Sequence, residues 1–188
     1  MRRIADRIGS SPTSLYWYVS DKSELYELMF DAVLGEVELP SWSARGWRAD
    51  LSSLAWAMLA TARRHRWWYS QVSIQPVPGP NTLRYAAVML PIFAKWGIDE
   101  ATAVNVLATL HNYIVGFTVR EAAWQQLAIR AAQDGTSAAD GVSGSGEPLV
   151  SAQWVSDRLQ LTGDESFGFG LERFFDGIAV LVDSLGRA

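Results

Sequence analysis

The chain has 188 residues, 49% of them hydrophobic, with a net charge of −4 and no cysteine. That is enough apolar material for a sizeable core in one domain, or in a small domain joined to a larger one. The absence of cysteine excludes disulfides and thiolate metal sites and suits a reducing compartment.

Apolar runs such as "YAAVMLPIFA" fall short of the roughly 20 residues that cross a bilayer, and proline interrupts them. Nothing at the start resembles a secretory signal, so a cytoplasmic protein without a membrane partner is expected. The acidic total hides a local patch. Arg2, Arg3, Arg7 and Lys22 outnumber Asp6 and Asp21 within the first 22 residues, leaving the rest of the chain more acidic.

Apolar residues recur at intervals of three and four almost throughout, which predicts an all-α protein. A first helix runs from the start to Ile8, and Gly9 stands where a left-handed C-terminal residue is needed. Ser11 offers an N-cap and Pro12 a first helical position, opening a short second helix that ends near Val19. Asp21 and Glu24 have the spacing of a cap and its N3 partner for a third helix carrying Leu25, Leu28, Met29, Ala32 and Val33.

A boundary is expected at "PSWSARGW", dividing residues 1–40 from 41–188. Beyond it, a helix is predicted over about 47–70, a proline-rich connection at "IQPVPGPN", and a helix over about 82–95. A turn at Gly97 then leads into a long helix over about 99–131. The glycine-rich segment "QDGTSAADGVSGSGEP" reads as a mobile loop, and a last, broadly apolar helix covers about 168–185.

Two short helices joined by a glycine-bearing turn have the proportions of a helix-turn-helix, whose second helix enters the major groove. Ala5 is small at the crossing, and Ile4, Ile8, Leu15 and Val19 are expected beneath it. Thr13, Ser14, Trp17 and Tyr18 are left to face DNA.

The segment "IADRIGSSPTSLYWYVSDKSEL" resembles the DNA-binding segment of the tetracycline repressor (TetR) family, in its short recognition helix, its "LYWYV" core and the lysine that follows three residues later. "PVPGPNTLR", "KWGIDEATA", "HNYIVGFTVREAA" with Gly116 and Glu121, and "FGFGLERFFDGIAVLV" resemble the family's regulatory domain. The resemblance implies that Arg2 reaches a base edge, that Thr13 and Trp17 face the groove, and that Ser14, Tyr16, Tyr18 and Lys22 hold phosphate. Family members carry one more helix before this pair, so Met1 is expected to be internal to a longer product.

Seven of the nine tryptophans fall between Trp42 and Trp124, a concentration that suits an apolar ligand cavity. The TetR family holds an effector between the corresponding helices, so the resemblance implies Trp68, Trp96, His111, Asn112 and Phe117 as liners, and the abundance of indole with the lack of acidic residues near that wall suggests an apolar or aromatic effector. Taken singly, aromatics on helices are more often core than ligand contacts; His111 can be a satisfied core histidine, and His65 reads as a surface residue or a charged helix end. Arg63, Arg64 and Arg66 read as a solvated face rather than a second phosphate contact.

The apolar last helix, and the two-fold symmetry of a palindromic operator, favour a homodimer built through that helix and the long one. The expected function is a repressor released from double-stranded DNA by a small molecule. The alternatives are a helical sensor or carrier without a DNA role, and an enzyme. For the enzyme there is no cysteine, HExxH, phosphate loop or nucleophile elbow, and the two histidines are far apart in sequence. No cofactor and no metal are expected.

Overall fold

The computed structural model describes residues 1–40, 46–68, 79–134 and 163–185. Among these residues every regular element is a helix: α1 (Arg2–Arg7), α2 (Pro12–Tyr16), α3 (Lys22–Gly35), α4 (Trp47–Arg64), α5 (Pro80–Ala94), α6 (Glu100–Asp134) and α7 (Asp164–Leu185). The all-α expectation is met. Most of "PSWSARGW" and "IQPVPGPN", and nearly all of "QDGTSAADGVSGSGEP", lie outside the described residues.

Local chemistry sets the ends of the short helices. Gly9 takes φ +67°, its N–H donates to the Asp6 carbonyl at 3.4 Å, and the Ser10 N–H donates to the Ala5 carbonyl at 2.9 Å. This paired closure gives the Asp6 carbonyl a donor and the Ala5 carbonyl a second one beside the Ile8 N–H at 3.2 Å. A side chain at positive φ is strained, so Gly9→Ala is expected to cost about 1 kcal/mol in urea unfolding. Gly9→Asn is expected to cost less, because asparagine tolerates this region.

The Ser11 hydroxyl accepts from the Ser14 N–H at 3.0 Å and so caps α2, with Pro12 in its first turn. Asp21 caps α3 by accepting from the Glu24 N–H at 2.9 Å, while Glu24 reaches back to the Ser20 N–H at 2.6 Å. The reciprocal pair is therefore offset by one residue from the simplest capping box.

The body is built on periodic stripes. Leu51, Leu54, Ala55, Met58, Leu59 and Ala62 of α4 are buried against Met89 and Phe93 of α5 and Ala103, Leu107, Leu110, Ile114 and Phe117 of α6. Phe167, Leu171, Phe175 and Ile178 of α7 complete the same cluster. Each fully buried Leu or Phe contributes about 2 kcal/mol, so this cluster dominates stability. Pro91 lies inside α5 without ending it. The Ala87 carbonyl deprived of a donor by Pro91 belongs, like Pro91 itself, to an exposed residue, where water can serve it.

Three details depart from the sequence reading. Ile4 and Ile8 are 38% and 60% exposed. They share a stripe about 100° around α1 from buried Ala5, and that stripe falls outside the core. The second helix stops at Tyr16 and unwinds through a turn, with the Val19 N–H still bonded to the Leu15 carbonyl at 3.1 Å. The fourth ends at Arg64, short of residue 70, where His65 leaves helical geometry at φ −114°, ψ 67°.

Candidate nucleic-acid interface and effector site

The candidate DNA-facing surface is local in sequence. Ala5 and Val19 are buried and Leu15 partly so, which fixes α1, the turn and α2 as one unit. What remains outside is large and aromatic: Tyr16 is 52% exposed, Trp17 85% and Tyr18 83%. Arg2, Thr13, Ser14 and Lys22 are exposed as well, so all seven residues expected at DNA are available to it. Lys22 sits at the start of α3 with its ammonium 5.2 Å from the Tyr26 ring centroid, a contact that orients the cation without neutralising it.

The third helix is clipped to the body by a buried carboxylate. Asp31 accepts from the Asn81 N–H at 3.1 Å, the Asn81 side-chain amide at 3.0 Å, the Thr82 N–H at 2.9 Å and the Thr82 hydroxyl at 2.9 Å. Gly79, the N-cap of α5, has no side chain to cap that helix, and Asp31 caps it from another element. A Cβ on Gly79 would lie 2.4 Å from the Asp31 carboxyl carbon, so the glycine makes room for the clip.

Glu36, just beyond α3, adds a second link. Its carboxylate lies 2.8 Å from His65 Nε2 and 3.5 Å from the Arg64 guanidinium. The His65 hydrogen bond is the main reason its carboxyl is held below the ordinary glutamate value.

The residues expected around an effector fall into several neighbourhoods. Trp68 is buried, its ring 5.2 Å from Phe30. Trp96 packs edge-on to Phe93 at 6.3 Å and Trp47 at 6.5 Å, and Phe117 lies 5.1 Å from Phe167. His111 turns toward α5, where its Nε2 is 3.0 Å from the Tyr85 hydroxyl. Asn112 is exposed, because the next position on a helix points about 100° away.

Burial lowers His111 to about 4 and raises the Tyr85 hydroxyl above its ordinary value. The histidine is thus neutral when folded, and its pKa rises to about 6.5 when unfolded. Its contribution to stability is whole above pH 6.5 and is lost as pH falls through the folded value near 4. From pH 7 to pH 4, His111→Leu is expected to lose about 3 kcal/mol less stability than the parent chain, measured by urea unfolding at each pH.

Arg63 is not part of a solvated face. Its guanidinium donates to both Glu121 carboxylate oxygens, at 3.0 and 2.7 Å, and to Asp164 at 2.7 Å, joining α4, α6 and the start of α7. Glu121 is buried, so the fork-like pairing is needed there. Arg64 and Arg66 are exposed, and His65 is the C-cap of α4.

The roles of Tyr85, Asp31, Asn81 and Thr82 escape a reading of the sequence. Only Asp31 leaves a trace there, as an acid set among Met29, Phe30, Val33 and Leu34. Among the described residues, no group of three or more His, Cys, Asp or Glu is placed to hold a metal, and no helix is long and apolar enough to cross a membrane.

Fold and surface together define a helix-turn-helix unit clipped to a larger all-helical body. The tetracyclin repressor-like C-terminal domain family matches residues 39–182. An HTH-type transcriptional regulator of Saccharopolyspora erythraea is 34% identical over 66% of this chain, which spans 53% of that protein's length. The HTH-type transcriptional repressor DrrR1 of Streptomyces coeruleorubidus is 33% identical over 97% of this chain and 70% of its own. The crystal structure of the TetR family protein ActR of Streptomyces coelicolor, in complex with actinorhodin, superposes with a TM-score of 0.70 at 23% identity, covering 97% of this chain and 87% of that one. The chain belongs to the TetR family.

Proposed function

We propose that this chain is a cytoplasmic, homodimeric transcriptional repressor that binds a palindromic operator and is released by a small apolar or aromatic effector. Residues 1–40 are the reader and residues 41–188 the regulatory and dimer-forming domain. The observation that carries this is the exposure of Trp17 and Tyr18 on a helix-turn-helix that has no room to bury them. DrrR1 is a repressor and ActR was crystallised with actinorhodin, which supports a repressor that answers to a ligand.

In this reading Arg2 reaches a base edge, Thr13 and Trp17 lie in the groove, and Ser14, Tyr16, Tyr18 and Lys22 hold phosphate. Trp68, Trp96, His111 and Phe117 belong to the effector-responsive core, with Asn112 at its outer rim. Exposed Phe169 and Val180 of α7 and Val119 of α6 supply the apolar surface for a two-fold interface. An effector releases DNA only by favouring an arrangement that binds DNA poorly.

Exposed side chains can be removed without loss of fold, which gives a clean test. Tyr18→Ala is expected to weaken binding to a selected duplex about tenfold and nearly equally for variant sequences, as loss of a phosphate contact does. Trp17→Ala is expected to weaken binding and relax base preference. Anisotropy titration reads both effects, with the unfolding midpoint unchanged. Undiminished affinity in both variants would refute the assignment.

A further inference from the structure

Lys22 stands at the first position of α3, where the open amides of a helix start carry partial positive charge and disfavour a cation. Helix stability therefore does not explain it. The two acids beside it are engaged elsewhere: Asp21 accepts from the Glu24 N–H at 2.9 Å, and Glu24 accepts from the N–H and the hydroxyl of Ser20. Among the described residues no carboxylate forms an ion pair with Lys22. What the ammonium meets is the ring of half-buried Tyr26, one turn further along α3, its centroid 5.2 Å away.

We propose that Tyr26 is a positioning residue for DNA binding: its ring holds the Lys22 ammonium on one side and leaves the other side free for a backbone phosphate. The inference rests on the repressor reading above and adds to it a residue that need not touch DNA itself. A freely rotating lysine loses its rotamer freedom when it docks on phosphate, which weakens binding. A ring face attracts the cation without carrying a negative charge, so it orders the side chain and does not compete with phosphate as a carboxylate would. The Asp21 cap and the Ser20–Glu24 contacts fix the turn that carries Lys22. Backbone and side chain are thus both set before DNA arrives.

The test is a double-mutant cycle in the full chain, read by anisotropy titration at several salt concentrations against the duplex enriched from random DNA. Lys22→Ala is expected to weaken binding about tenfold and to lower the salt slope by about one. Tyr26→Leu is expected to weaken it about threefold in the parent chain and not at all in Lys22→Ala. Tyr26→Phe keeps the ring and is expected to bind as the parent does, since the hydroxyl has no part in the contact. In DNA-free protein the Lys22 ε-methylene protons, shielded by the ring face, are expected to move downfield in Tyr26→Leu. That NMR reading holds even where leucine lowers the unfolding midpoint.

Equal weakening by Tyr26→Leu in both backgrounds would make Tyr26 a structural residue only. No weakening in either, or unmoved Lys22 protons, would overturn the proposal as well. In each case duplex binding by the parent chain, weakened by Tyr18→Ala, keeps the repressor reading intact. A parent chain that binds no duplex would overturn both.

Discussion

Asp31→Ala is expected to cost about 3 kcal/mol in urea unfolding, or about 9 °C in Tm for a chain of this size. The carboxylate accepts four hydrogen bonds and is the cap of α5, so its removal strips Asn81 and Thr82 of a partner in a part-buried setting. Burial pushes the Asp31 carboxyl up, but the bonds from Thr82 and Asn81 outweigh it and hold the group below its ordinary value. The stabilisation is therefore complete above about pH 4, the unfolded aspartate value, and disappears as pH falls through the lower folded value. The gap between parent and variant is expected to stay constant from pH 7 to pH 5 and to close in stronger acid.

Gly79→Ala approaches the same clip from the other side, since its methyl would occupy space taken by the carboxylate. Combined with Asp31→Ala it is expected to add little, because the smaller side chain vacates the clash. That non-additivity distinguishes a specific clip from two unrelated defects. In the proposed repressor the same variants uncouple α3 from α5, so effector is expected to bind while operator affinity no longer responds to it.

Arg63→Ala is expected to cost about 2 kcal/mol. Removing one partner of a buried pair leaves the other charge uncompensated, and the Glu121 side chain is only 9% exposed. The figure is set below that for a fully buried pair because Arg63 itself is 34% exposed and partly screened. Arg63→Ala combined with Glu121→Leu is expected to recover part of the loss, since an apolar side chain tolerates the site that a bare carboxylate does not. Urea unfolding of the two singles and the double measures this. An Arg63→Ala chain as stable as the parent would show the bridge to be inconsequential.

Features that depend on neighbours along the chain are legible in the sequence itself. The Ser11 and Asp21 caps, the Gly9 closure and the α4 stripe follow from residue type and spacing, because each is satisfied within a turn or two of itself. Exposure of Trp17 and Tyr18 is readable for the same reason: a five-residue helix has too little inner face to hide three successive aromatics.

What escapes the sequence involves partners far apart in the chain. Asp31 meets Asn81 and Thr82 across some fifty residues, and Arg63 meets Glu121 across 58. Periodicity marks a position as inward or outward but does not name its partner, so Arg63 reads as one of three solvated arginines and the partner of Tyr85 goes unread. Ile4 and Ile8 mislead in the opposite sense, as apolar residues whose stripe meets nothing buried.

The most direct measurement of DNA recognition by this chain is a binding selection from random duplex DNA with the full-length protein, followed by titration of the enriched sequence at several salt concentrations. The expected result is a palindrome whose half-sites are about one helical turn apart, bound with a steep salt dependence from phosphate contacts and weakened by Tyr18→Ala. No enriched sequence from folded protein would contradict the repressor reading, leaving α1 and α2 a scaffold and the helical body a ligand-binding protein in its own right.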